Sequence, residues 1–177
     1  MTLRLAINGY GRIGRCVLRA LYESGARKNM QIVAINEPAT QEAIVYLTKY
    51  DSTHGRFQGE VTSDDGCLWV NGDRIVLSGV VKPEELDWAG LAIDVVLECS
   101  GVYHSRSAAE LYLKAGAKRM LLSHPADTDI DATIVRGVND FLLQPNHLIV
   151  SSASCTTNAI VPVIKILDDC FGVENGV

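Results

Sequence analysis

A short apolar run, Leu3 to Ile7, ends at Asn8 and passes directly into Gly9-Tyr10-Gly11-Arg12-Ile13-Gly14. Arg12 to Ser24 then carries Ile13, Val17, Leu18 and Leu21 at helical spacing, and Gly25 stands where that helix would stop. A strand that turns through GxGxxG into a helix is compatible with few folds. The first glycine permits a tight turn. The second lets the backbone approach a pyrophosphate, and the third lets the helix pack close to its strand. The helix start offers unpaired N–H groups and partial positive charge to an anion.

The alternation continues. Gln31 to Asn36 is short and β-branched and predicts a buried strand, and Gln41 to Lys49 predicts a second helix. Glu37 ends that strand, 23 residues after Gly14. A carboxylate there accepts hydrogen bonds from ribose hydroxyls and repels a 2′-phosphate, so NAD is expected over NADP. The glycines could serve as plain turn formers and Glu37 as a solvated loop acid. Strand, loop, helix, strand and acid together favour the phosphate loop. The cofactor-binding candidates are therefore Gly9, Gly11, Arg12, Ile13, Gly14 and Glu37. Arg12 is included because it lies inside the loop, and Arg15 is assigned to the solvated surface.

Between Gly66 and Gly79, CLWV and RIVLS flank Asn71-Gly72-Asp73, a hairpin signal and hence an antiparallel excursion. Asp94 to Cys99 predicts another buried strand, and Ser105 to Lys114 a helix ended by Gly116. Arg119–Ser123, Thr133–Gly137 and Leu148–Ser151 follow as strands, then a helix over Val161–Phe171 that closes at Gly172. The fold class is α/β: a Rossmann-type, doubly wound, mainly parallel sheet with an antiparallel hairpin excursion.

Lys plus Arg is 16 and Asp plus Glu is 21, a formal charge of −5. That balance disfavours a partner that coats nucleic acid. No stretch approaches the roughly 18–20 apolar residues of a membrane span. Arg4 and Asn8 interrupt the first apolar run, so no secretory signal is expected. Neither nucleic acid nor membrane is an expected partner. The cysteines Cys16, Cys67, Cys99, Cys155 and Cys170 are odd in number and widely spaced, with no CxxC and no zinc-type Cys/His set. Reduced thiols, no metal site and a cytoplasmic location are the expectation.

Ser152-Ala153-Ser154-Cys155-Thr156-Thr157-Asn158 follows a strand and precedes the last helix. A cysteine at a helix start faces free N–H groups, which activate it as a nucleophile and can stabilise an oxyanion on an attacked carbonyl. It could equally be a small packing residue at a crowded junction. An upstream dinucleotide loop makes a thiolate beside a hydride acceptor a coherent pair. The other four cysteines are assigned to packing, Cys170 on the helix interior or tail.

INGYGRIGR (7–15), KYDSTHGRF (49–57), ECSG (98–101) and SASCTTN (152–158) resemble the glyceraldehyde-3-phosphate dehydrogenase family over essentially the whole chain. Within it, LYESG (21–25), SHPADTDIDATIVRGVN (123–139) and IVPVIKILDD (160–169) resemble the branch that oxidises erythrose 4-phosphate more than the glycolytic branch. The resemblance implies an NAD-dependent oxidation of a sugar phosphate aldehyde by a homotetramer. It implies Cys155 as nucleophile and Ser154 and Thr156 beside the bound aldehyde. It also implies Ser100 and Gly101 along the adenosine–ribose path and Ser123 on the nicotinamide side. Two departures stand out: Val81-Lys82 where relatives carry a cofactor-contacting arginine, and Ala159 where they carry a second cysteine. The implied domains are a cofactor-binding unit over 1–152 and the start of a catalytic unit over 153–177. Relatives run to about twice this length, with the catalytic histidine further on, and His54, His104, His124 and His147 do not match its position. The 177 residues alone are expected to be inactive; the alternatives are the same half of a phosphorylating, glycolytic member of the family and a free-standing NAD-binding or thiol-sensing module.

Overall fold

The two central strands, LRLAIN over Leu3–Asn8 and MQIVAIN over Met30–Asn36, are apolar runs that end in Asn, so their interiors bury both faces while their ends carry polar turns. The computed structural model describes residues 2–82 and 85–176. The elements are β1 (Leu3–Asn8), α1 (Arg12–Glu23), β2 (Met30–Asn36), α2 (Gln41–Lys49), β3 (Tyr50–Asp51), β4 (Gly55–Arg56), β5 (Val61–Asp64), β6 (Cys67–Val70) and β7 (Asp73–Ser78). Then come β8 (Val95–Glu98), α3 (Arg106–Lys114), β9 (Arg119–Leu122), β10 (Ala132–Thr133), β11 (Ile149–Ser151) and α4 (Cys155–Phe171).

Nine strands form one sheet in the order β10-β11-β9-β8-β1-β2-β7-β6-β5. Every neighbour from β10 to β7 is parallel, and β7-β6 and β6-β5 are antiparallel. The chain first moves from β1 to β2 and later returns to place β8 on the other side of β1. That reversal makes the carboxyl ends of β1 and β8 the topological switch point, where open α/β sheets bind ligands.

Alternation along β1 divides the core. Leu5 and Ile7 join Leu18 of α1, Ile32, Ile35 and Ile44 on one face. Ala6 joins Val96, Tyr112 of α3, Met120, Leu122 and Ile149 on the other. Thr40 and Ser105 cap α2 and α3 by accepting from Ala43 N and Ala108 N.

The observed elements differ from the expectation in four places. The antiparallel excursion has three strands, because Asp65-Gly66 makes a second tight turn with both residues at positive φ, like Asn71-Gly72. Tyr50–Asp51 and Gly55–Arg56 add a small separate hairpin. The strand expected over Thr133–Gly137 is only Ala132–Thr133, since Gly137 turns at φ 80 and Val135 N is taken by the Asn139 side chain. The last helix begins at Cys155, six residues before the apolar spacing starts, because Ser154 caps it.

α4 buries none of its residues against the sheet, and Ile160, Val163, Ile166, Leu167 and Phe171 are exposed. Among the described residues no helix is long and apolar enough to cross a membrane.

Two leucines on helices test this division. Leu18 is fully buried and Leu167 is not. Leu18→Ala is expected to lower unfolding stability by about 2–5 kcal/mol. Leu167→Ala should change it by less than about 0.5 kcal/mol in the same urea titrations.

Candidate functional site

The carboxyl ends of the parallel strands lie in one register row: Ser78 beside Asn36, Asn36 beside Asn8, Asn8 beside Glu98, and Glu98 beside Leu122. The next residue of each strand donates its N–H to a neighbour's terminal carbonyl. Gly9 bonds Asn36 O at 2.9 Å, Glu37 bonds Ser78 O at 2.7 Å, Cys99 bonds Asn8 O at 2.7 Å, Ser123 bonds Glu98 O at 3.0 Å and Ser152 bonds Leu122 O at 2.9 Å. The sheet thus delivers the sequence-predicted loops to one edge. From Glu37 to Ser152 the edge crosses four strand spacings, about 19 Å.

The glycine loop is built for close approach. Gly9 has φ 85, and a Cβ on it would lie 2.5 Å from Ser100 N and Cα. A Cβ on Gly14 would strike Gly9 O and crowd Ile7. Gly11 caps α1 without a side-chain bond, and nothing lies within 4 Å of where its Cβ would be. No acidic residue occupies the first turn of α1. The loop therefore leaves an open, cationic helix start that a side chain would obstruct, a cradle that fits a dinucleotide pyrophosphate.

A cleft of about 380 Å³ opens over this loop, lined by Gly9, Gly11, Glu37, Ser100 and the apolar Val81 and Val102, among others. Glu37 is pre-positioned: its carboxylate accepts from Tyr10 N at 2.7 Å and from Ala39 N at 3.3 Å. Arg12, Ile13, Gly14, Gly101 and Ser123 do not line the cleft wall. Gly14 is buried behind the loop, and Ile13 is exposed on α1. Arg12 turns its guanidinium to Asp51 at 3.3 Å. Backbone N–H groups of His54 and Thr53, then Arg12, hold the Asp51 carboxyl down at about 2. Gly101 is exposed at φ 73, immediately after Ser100. Ser123 meets the Cys99 thiol, which burial pushes up to about 11.

Arg15 is not the solvated surface residue expected. Its Nη1 donates to Tyr10 O at 3.0 Å and its Nε is enclosed, because the first turn of α1 folds it back under the glycine loop. Lys82 is ion-paired to Glu85 at 3.8 Å on an exposed surface, while Val81 O accepts from Tyr103 Oη at 3.0 Å.

The cysteine turn stands at the same edge. Cys155 is the exposed first residue of α4. Ser154 caps the helix by accepting from Thr157 N at 2.9 Å, and its Oγ also meets the hydroxyls of Thr156 and Thr157 at 2.9 and 2.6 Å. Asn158 donates to Ser152 O at 2.6 Å and Ser154 O at 2.9 Å, bracing the turn. Ala153 sits at φ 60, left-handed for a non-glycine residue, with its N–H held by Ser151 Oγ at 3.0 Å. None of Ser154, Cys155 and Thr156 lines the glycine-loop cleft. Among the described residues no histidine is hydrogen-bonded to Cys155: His104 Nδ1 meets Pro125 O, His147 Nδ1 accepts from Gln144 N, and both ring nitrogens of His124 are enclosed without partners. Burial, then His104, holds the His124 pKa down. No metal-binding cluster occurs among the described residues.

Three residues escaped the sequence reading: Asn8, Asn36 and Glu98, all buried at the strand ends. Their physical signal was a polar residue closing an otherwise apolar strand just before a loop, and Asn8 and Glu98 also fall in the stretches INGYGRIGR and ECSG. Of the cysteines assigned to packing, Cys67 is buried, and Cys16 and Cys99 are half-buried. Cys170 is exposed, because α4 packs no face against the sheet.

Residues 3–106, from β1 to the first residue of α3, match the family model described as glyceraldehyde 3-phosphate dehydrogenase, NAD binding domain.

Cys155 and Cys170 are both exposed and differ in which end of α4 they occupy. Negative charge is held better at the N-terminal end of a helix than at its C-terminal end. Brief iodoacetamide treatment at neutral pH, read by peptide mass spectrometry, should therefore modify Cys155 first, Cys170 next and Cys67 last.

Proposed function

The chain belongs to the glyceraldehyde-3-phosphate dehydrogenase family and carries its NAD-binding domain, and from this premise we propose that it serves a D-erythrose-4-phosphate dehydrogenase with Cys155 as nucleophile. The family makes it part of an NAD-dependent dehydrogenase. The finer reading rests on the likeness of residues 21–25, 123–139 and 160–169 to the erythrose 4-phosphate branch. The observation that carries the chemistry is the pairing, on one sheet edge, of an open glycine-loop cradle with an exposed cysteine at the start of a capped helix. We assign residues 1–152 to the cofactor domain and 153–177 to the start of a catalytic domain.

In this reading, Gly9, Gly11, Arg12, Ile13 and Gly14 hold the pyrophosphate side, Glu37 the adenosine ribose, Ser100 and Gly101 the path between, and Ser123 the nicotinamide side. NAD, when bound, supplies the two-electron oxidation of the Cys155 adduct from thiohemiacetal to thioester. The Cys155 thiolate forms an S–C bond to the aldehyde carbon, and the free N–H groups of α4 face the oxygen that gains charge. Ser154 and Thr156 flank the aldehyde and its phosphate. Water then breaks the thioester C–S bond, releasing 4-phosphoerythronate, an intermediate of pyridoxal phosphate synthesis, and the free thiol. The family resemblance also supports a cytoplasmic homotetramer. The second reading is the phosphorylating, glycolytic reaction, in which inorganic phosphate takes the acyl group.

Two experiments test the proposal. Calorimetry should find NAD bound more tightly than NADP, with the preference narrowed in Glu37→Ala, and equal or tighter NADP binding would remove the role given to Glu37. NADH formation by the protein carrying this chain should be faster with erythrose 4-phosphate than with glyceraldehyde 3-phosphate, should not need inorganic phosphate, and should vanish in Cys155→Ala. Strict phosphate dependence with the three-carbon aldehyde would favour the glycolytic reading. The 177 residues alone should bind NAD without steady turnover, since among the described residues no histidine is bonded to Cys155 and general-base assistance is worth about 10²–10⁴-fold.

A further inference from the structure

Beneath the cofactor cleft runs a single directed line of hydrogen bonds. It starts on one wall, at Val80. Val80 N donates to Asn36 Oδ1 at 2.9 Å, and Val80 O accepts from Asn36 Nδ2 at 2.8 Å. Those two backbone contacts leave the Asn36 amide only one orientation. Asn36 Nδ2 also donates to Asn8 Oδ1 at 2.7 Å, which turns Asn8 Nδ2 toward Glu98 Oε2 at 2.6 Å. Glu98 closes the line on the opposite wall: its Oε1 accepts from Ser100 N at 2.7 Å and from Ser100 Oγ. Val80 and Ser100 line the cleft; Glu98 does not, and it has no exposed surface.

We propose that Glu98 is the positioning residue of the NAD cleft: an ionised, fully buried carboxylate that clamps the Ser100 turn against Gly9 and sets the cofactor affinity without touching the cofactor. The inference rests on NAD occupying this cleft. The direction of the line requires an acceptor at Glu98. Asn8 Nδ2, Ser100 N and Ser100 Oγ all point donors at it, and Asn8 Nδ2 also donates to the Tyr112 hydroxyl at 2.9 Å. A proton or an amide nitrogen on this side chain would set donor against donor. The Ser100 backbone then loses its hold where it packs, with no room for a side chain, on Gly9.

Two effects oppose each other here. Burial raises the Glu98 pKa, and the bonds from Ser100 and Asn8, with the nearby Tyr112 hydroxyl, lower it only in part. Facing it are Asn8 from β1, Ser100 from its own turn, and Tyr112 from α3, whose own ionisation is suppressed by burial and then by the Glu98 charge. No Lys, Arg or His is bonded to Glu98 among the described residues. Because NAD prefers the ionised form, its binding must lower the Glu98 pKa, and by reciprocity affinity must fall as pH drops through that raised value.

Calorimetric NAD titrations at several pH values, each in two buffers of different ionisation enthalpy, test this. The unsubstituted chain should bind more weakly on acidification and release a fraction of a proton on binding. Glu98→Gln should bind about tenfold more weakly or worse, since one donor is left facing another, and the proton release should disappear. Tyr112→Phe removes the hydroxyl that accepts from Asn8 Nδ2 and helps hold the Glu98 pKa down, without touching the cleft wall, so it should move the pH of half-maximal affinity upward. It also serves if Glu98→Gln fails to fold. Binding by Glu98→Gln within about twofold of the parent, undiminished proton release in that variant, or an unmoved midpoint in Tyr112→Phe would each overturn the proposal. Absence of NAD binding by the unsubstituted chain would overturn the cofactor assignment as well.

Discussion

Asn36 is gripped by both backbone groups of Val80, and it passes that orientation to Asn8 and so to Glu98. These side chains close neighbouring parallel strands at the same register level. A parallel sheet leaves its terminal peptide groups facing the loops, and buried polar groups there must find partners. The chain meets that requirement laterally, from strand to strand. The loops after β1, β2 and β8 are thereby tied to one another at the floor of the cleft. Fully satisfied networks of this kind rigidify and specify a site.

On that platform the glycine loop and the cysteine turn solve the same problem in different ways. Each presents the N-terminus of a helix, with unpaired N–H groups, to a place where negative charge is proposed to sit. At α1 the cap is Gly11, which adds no side chain and leaves space. At α4 the cap is Ser154, whose hydroxyl is consumed by Thr157 N and neighbouring hydroxyls, so the turn is braced and Cys155 is left exposed at its tip, next to Thr156. An open start suits a ligand that must be accommodated, and a capped start suits a side chain that must be aimed. Ala153, at φ 60, concentrates backbone strain in the residue before the cap, and Ser151 and Asn158 hold the segment there.

α4 itself buries nothing, although its sequence is strongly apolar. Its helical form rests on local bonds and the Ser154 cap rather than on a packed face. That is why apolar spacing located its middle but not its start, and why Cys170, assigned to packing, lies in the open. Periodicity reports which positions want burial; it cannot report whether a surface is present to bury them. The same limit shortened the strand expected at Thr133–Gly137: a β-branched run satisfied the pattern, but the Asn139 side chain captured Val135 N and turned the chain away.

The sequence by itself determined the alternation of elements, the glycine loop and the acid after β2. Those depend on local chemistry: hydrophobic period, turn residues, and the few side chains that tolerate a phosphate loop. GxGxxG was legible because each glycine answers a steric demand: Gly9 turns at φ 85 against Ser100, and Gly14 leaves no room for a Cβ beside Gly9 O and Ile7. What only the tertiary structure decided was the partnership of Asn8, Asn36 and Glu98, the inward turn of Arg15 under Tyr10, and the engagement of Glu37 by Tyr10 N. Asn8 and Glu98 stand 90 positions apart in the chain. Nothing in either local segment distinguishes a buried acceptor from a solvated end residue. Their meaning came from the strand order, which brings β8 beside β1 at the switch point and makes the last polar residue of each strand the neighbour of the other.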